Sequence, residues 1–179
     1  MLASCPWLVS IQTKGRLLTE LHPEMAFSSD LLDEAVAARQ SGDPRRAESA
    51  LGSLVLALNE ELPEDPLLAA CCLEVVEEPG LRQELQRVAE RASPRSARVH
   101  GVLVDPTGLG HVVQVIVELV PGNPTVWTAQ PCAPDARLGA QVAIAAALRG
   151  ERWIVRWQLD QPVPVHGSSL GLALAVAVR

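Results

Sequence analysis

The apolar residues of this chain change their spacing once, at Ser93-Pro94, and that change limits the fold more than any other feature of the 179 residues. Before it they recur at three and four positions, the period of a helix packed along one face. After it they recur at two, the period of a strand with one face buried. A run of helices followed by a run of strands implies an α+β chain. A helical region is expected over residues 1–94 and a mixed unit over 95–179. The charge divides at the same place: residues 1–94 carry 8 Lys/Arg against 16 Asp/Glu, and 95–179 carry 7 against 5.

In the first part, Ser28, Ser29 or Asp30 can cap a helix that turns Leu31, Leu32, Ala35, Val36 and Ala38 inward. Gly42-Asp43-Pro44 makes the next turn, its proline suited to the first position of a second helix. Ala47, Ala50, Leu51, Leu54, Val55 and Leu58 form the inner stripe of that helix. Leu67–Glu78 and Leu81–Ala92, parted by Pro79-Gly80, are predicted as two more helices, with Glu74, Glu77 and Glu78 on a solvated face. The helix–Gly-Asp–helix–Pro arrangement resembles one tetratricopeptide unit, with Ala47 at the small packing position; a generic helical hairpin accounts for the same pattern. One such hairpin cannot bury its own faces and must pack on another element. Trp7–Thr13 alternates like an edge strand or arm.

In the second part, Ala97–Val104 and His111–Val120 are predicted strands joined by a turn containing Gly108. Val113, Val115, Val117 and Leu119 share one face of the second; Val112, Gln114, Ile116 and Glu118 share the other. Thr125–Ala129 is a third, short strand. Asp135 is expected to cap a small-residue helix reaching Leu148 and closed by Arg149-Gly150. Trp153, Val155, Trp157 and Leu159 alternate in a fourth strand. Val165-His166-Gly167-Ser168-Ser169 then turns into Leu170–Val178, a helix apolar on every face, which belongs in an interior. A serine at its first turn would meet free N–H groups and the positive end of the dipole, which suits a hydroxyl that must become an alkoxide. The same pattern suits a plain N-cap.

Gly167-Ser168-Ser169-Leu170-Gly171-Leu172-Ala173 resembles the nucleophile motif of Lon-type proteases, in which aspartate, glycine, proline, serine, alanine and glycine lead into a small apolar helix. On that register Ser169 takes the nucleophile position, with Ser168 the runner-up. Gly167 and Gly171 keep the glycines, while His166, Ser168 and Leu170 replace the aspartate, proline and alanine. The order strand-strand-strand-helix-strand-turn-helix is also similar to the first part of a Lon proteolytic domain, with Gly101, Pro121-Gly122 and an alanine-rich helix recurring. The resemblance covers just under half the chain.

It implies a serine peptidase with a Ser-Lys dyad, cleaving protein substrates. Lysine suits that role because a buried ammonium sheds its proton, whereas guanidinium does not. In the family the lysine lies C-terminal to the serine; here Lys14 is the only lysine in the chain. The lysine is therefore expected from a segment or chain beyond Arg179, which would also cover the last helix. His166 is the other candidate base, and Asp160 is the nearest carboxylate in sequence to orient it. The partners implied are a second polypeptide segment or self-association, a protein substrate and an ATPase or regulatory chain, because no phosphate-binding glycine loop is present. The alternative is a Lon-like fold used without proteolysis, with the helical region as an adaptor.

Other classes have little support. No basic, aromatic-interleaved pattern points to nucleic acid. The longest apolar run, Leu170–Val178, is too short to span a bilayer. Cys5, Cys71, Cys72 and Cys132 lack metal-ligand spacing, so no metal or cofactor is expected, and reduced thiols point to the cytoplasm.

Overall fold

The computed structural model describes residues 23–104, 107–161, 163–167 and 170–179; the arm Trp7–Thr13 lies outside them. Four helices come first: α1 (Pro23–Gln40), α2 (Pro44–Glu60), α3 (Pro66–Val75) and α4 (Pro79–Ala89). Proline opens each of the last three, at a position where a missing N–H leaves no bond unmade. Asp43 Oδ1 accepts from the N–H groups of Arg45 and Arg46, and Asp65 Oδ1 from those of Leu67 and Leu68, satisfying donors that the helices leave over.

Sequence reading misplaces several ends. α1 begins at Pro23, ahead of the serines expected to cap it, and α3 stops at Val75 rather than Glu78. The early stop has a cause in side chains from neighbouring helices. Arg82 Nη1 donates to the carbonyls of Leu73 and Val76, both at 2.6 Å, and Arg39 Nη1 donates to those of Glu74 and Val75. Two cations thus close the negative end of α3.

The helices enclose a core containing Leu32, Ala35, Leu54, Leu58, Leu68 and Leu85. Cys71 and Cys72 lie in it with no exposure, and burial pushes both thiols up to about 12, so they stay protonated and inert. Ala50 is the buried small residue of α2, whereas Ala47, expected at the close crossing, is half-buried. Ala50→Leu should overpack the contact and cost about 1–3 kcal/mol, with a smaller loss for Ala47→Leu. Thermal melts of the two variants test this; equal losses would move the crossing to Ala47.

The sheet unit follows: β1 (Arg95–Val104), β2 (Gly110–Pro121), β3 (Thr125–Trp127), α5 (Pro134–Leu148), β4 (Trp153–Leu159) and α6 (Gly171–Ala177). The strand order is β1-β2-β4-β3, with β3 and β4 parallel and the other pairs antiparallel. The chain is therefore α+β, with six helices and a four-stranded mixed sheet among the described residues. Gly108, at φ +85°, lies in the β1–β2 connection, and α5 supplies the crossover that parallel neighbours need. β3 ends two residues sooner than predicted, before Thr128, whose hydroxyl accepts from the Gln130 N–H. Ala133, not Asp135, is the N-cap of α5. Pro134 takes the first helical position, and Asp135 instead accepts from the Ala136 N–H inside the first turn.

One face of the sheet carries Val113, Val115, Val117, Leu119, Val155, Trp157 and Leu159 into a second core. Ala136, Ala140 and Ile144 of α5, with Leu170 and Leu174, cover it. The opposite face meets α3 along β3 and β4. Three polar links tie the helices to the rest of the chain, the first two at that contact and the third from α5. Trp127 Nε1 donates to Asp65 Oδ2 at 2.6 Å. Arg156, on β4, holds Glu118 of β2 and Glu74 of α3. Arg137, in the first turn of α5, pairs with Asp33 of α1. Glu74, Glu77 and Glu78 are all exposed, as expected of a solvated face, and Glu74 also reaches Arg156 from there.

Burial raises the carboxyls of Glu118 and Asp33 above their ordinary values of 4.5 and 3.8; for Asp33 it outweighs the opposing pull of Arg137. Each group therefore binds its proton more tightly when folded than when unfolded. Their contribution to stability is greatest at low pH and is lost as the pH rises from the unfolded value through the folded one. Glu118→Gln is expected to flatten the slope of melting temperature against pH above 4.5. An unchanged slope would remove Glu118 from the account.

Candidate functional site

The turn that leads to the candidate serines is anchored before it is reached. Val165 forms a parallel bridge with Cys132: its N–H donates to the Pro131 carbonyl at 2.8 Å, and its carbonyl accepts from the Ala133 N–H at 2.9 Å. His166 follows and is exposed. Gly167 then takes φ +69°, a left-handed conformation that a side chain would strain although nothing crowds the position. Ser169, the predicted nucleophile, and Ser168, its runner-up, lie outside the described residues, as does Lys14.

Beyond the serines the chain is fixed again. Leu170 is buried, and it sits against Gly101 so closely that a Cβ at Gly101 would come 2.9 Å from Leu170 Cδ2 and 3.3 Å from Ala173 Cβ. The glycine noted after the opening of the first strand thus lets α6 pass close beneath β1. Gly171 plays the same part toward α5, since its Cβ would lie 3.4 Å from that of Ala143. The described helix runs from Gly171, with Leu170 at its N-cap and no side-chain cap bond.

The space under this turn is closed. Ala136, Ala140, Trp157, Val165, Leu170 and Leu174 line a crevice too narrow for a water molecule. Asp160 is occupied just past the end of β4, where its carboxylate accepts from the Gln114 N–H of β2 at 3.1 Å. Cys132 has its thiol pushed up to about 12, chiefly by burial, and stays protonated. Among the described residues no three His, Cys, Asp or Glu side chains converge as metal ligands, and no helix is long and apolar enough to cross a membrane.

The outer surface of the two helices is the site's most distinctive feature. Leu138 and Val142 on α5 are 56% and 40% exposed, and Leu172 and Val176 on α6 are 78% and 57% exposed. In each pair the residues are four apart, so each makes a stripe, and the helices lie side by side. Sequence reasoning found the α6 stripe as a helix apolar all round but missed the α5 half. It also missed the Arg156 cluster, although an arginine between Val155 and Trp157 marks the outer face of β4. Comparison with protein-family models and with curated proteins finds no match to the chain.

Proposed function

We propose that this chain is a cytoplasmic interaction protein, in which a helical-hairpin region is fixed to a Lon-like α+β unit and the α5–α6 face takes a second polypeptide. The observation that carries the reading is that face: four large aliphatic side chains, 40–78% exposed, on adjacent helices. Burying each would yield about 1.5–3 kcal/mol. Large aliphatic side chains left exposed on neighbouring helices are a feature of interaction sites.

The peptidase is the second reading, favoured by the left-handed Gly167 and by the order of elements around it. In that reading the same second polypeptide supplies the lysine for Ser169. A serine-directed fluorophosphonate probe separates the two. The interaction reading expects residues 1–179 to remain unlabelled, with Ser169→Ala as the matched control. Labelling that disappears in Ser169→Ala overturns it in favour of a peptidase.

A further inference from the structure

We infer that β1 is the pairing edge of a homodimer, joined antiparallel to β1 of a second copy about a two-fold axis near Gly101. The inference rests on the interaction reading and specifies its partner.

The first observation is the backbone. β1 ends the sheet, and among the described residues no strand pairs with its outer edge. Gln114 accepts from the Asp160 N–H, and the Gly122 N–H donates to Arg152, so the even-numbered residues of β2 point their backbone groups at β4. Alternation then sends the N–H and C=O groups of Ser96, Arg98, His100, Val102 and Val104 outward from β1. Such an edge is self-complementary when two copies meet antiparallel. Natural edges are commonly blunted by charge or proline. Arg98 is charged in this way, but Gly101-Val102-Leu103-Val104 carries neither device.

The second observation is that exposed apolar groups flank the same edge on both faces. Val102 and Val104 of β1 and Val112 of β2 are 50%, 58% and 71% exposed on the face away from α6. On the other face α6 passes beneath β1 at Gly101, carrying Leu172 and Val176. An axis at Gly101 sets His100 beside Val102 of the second copy and Arg98 beside its Val104, where the aliphatic arginine stem packs. It brings the two α6 helices together beneath the sheet. The two Arg98 positions stand six residues apart along the strands, about 20 Å, beyond the screening length at physiological salt.

The third is size. A seven-residue overlap, from Arg98 to Val104, is about 23 Å long, and a sheet with one helix layer is about 20 Å thick, giving about 460 Å² per copy. That is the size of a weak, reversible interface rather than a permanent one.

Sedimentation of the full chain from about 1 to 100 μM tests this, with a monomer–dimer equilibrium as the expected result. His100→Pro removes an outward N–H and no bond to β2, a place where edge strands tolerate proline. It should weaken the dimer at least tenfold with unchanged circular dichroism. Amide exchange on the unmodified chain gives the second measurement: Arg98, His100 and Val102 should be protected at high concentration and released on dilution. A monomer throughout, or protection independent of concentration as pairing with Trp7–Thr13 would give, overturns the proposal. A dimer that survives His100→Pro but is lost in Leu172→Glu also overturns it, while leaving the α5–α6 face as the docking site and the interaction reading intact.

Discussion

Arg156→Met should destabilise the chain by about 3 kcal/mol at pH 7, the low end for breaking a buried ion pair, because its two carboxylates keep some contact with water. Arg156 is 9% exposed and serves Glu118 on its own sheet and Glu74 on α3, with Gln158 Oε1 accepting a further bond. Methionine of similar length keeps much of the packing but leaves Glu118 charged and half-buried without its cation. Two further results follow from the same reasoning. Because burial already raises the Glu118 carboxyl, the cost should shrink as the pH falls and the group takes up its proton. Arg156→Met combined with Glu118→Gln should recover more than half the loss, since the charge left behind is gone. Urea melts of the single and double variants at pH 7 and pH 5 would measure all of this. A cost independent of pH and of Glu118 would mean that Arg156 acts through packing alone.

The change of period at Ser93-Pro94 was enough to read helices followed by strands, and the alternation of Val113 to Leu119 gave the buried face of β2 directly. Those features are local and carried by many residues. The ends of α3 were harder to read because its last carbonyls are held by Arg39 and Arg82, 35 and 9 residues from the carbonyls they meet. Glu74 is exposed, as its acidic neighbours Glu77 and Glu78 suggest, but its ion pair could not be read because Arg156 lies 82 residues away. The candidate site was legible as a small-residue turn before an apolar helix. Gly101 and Gly171 explain that pattern without chemistry, since both allow α6 to approach its neighbours closely. Reading a nucleophile into Ser169 draws on the resemblance to Lon-type proteases, and its support lies in motif order rather than in a described catalytic geometry.

Trp157→Ala should cost more than any other single truncation, about 3–5 kcal/mol. The reason begins in composition: with four Trp, one Phe and no Tyr, few residues in the chain can fill a large space. Trp157 is 2% exposed and heads the fully buried side chains by volume. It lines the closed crevice with Ala136, Ala140, Leu170 and Leu174, and the first two have no longer side chain to swing into the void. Packing around it is already too tight for water, so the cavity left by alanine opens against an apolar lining that water does not stabilise. For a chain of this length the loss corresponds to a fall in melting temperature of about 6–20 °C. Trp153 provides the comparison on the same strand. It is half-buried, its Nε1 donates to Glu151 Oε2 at 2.8 Å, and the Arg95 guanidinium lies 5.2 Å from its ring centroid. A cation over an exposed ring contributes about 0.5–1 kcal/mol, so Trp153→Ala should fall well short of Trp157→Ala. Denaturant midpoints for the two variants decide the matter. Values within 1 kcal/mol of each other would show that α6 and its loop collapse into the space, and that the contact of α6 with the sheet is far more yielding than its close approach at Gly101 implies.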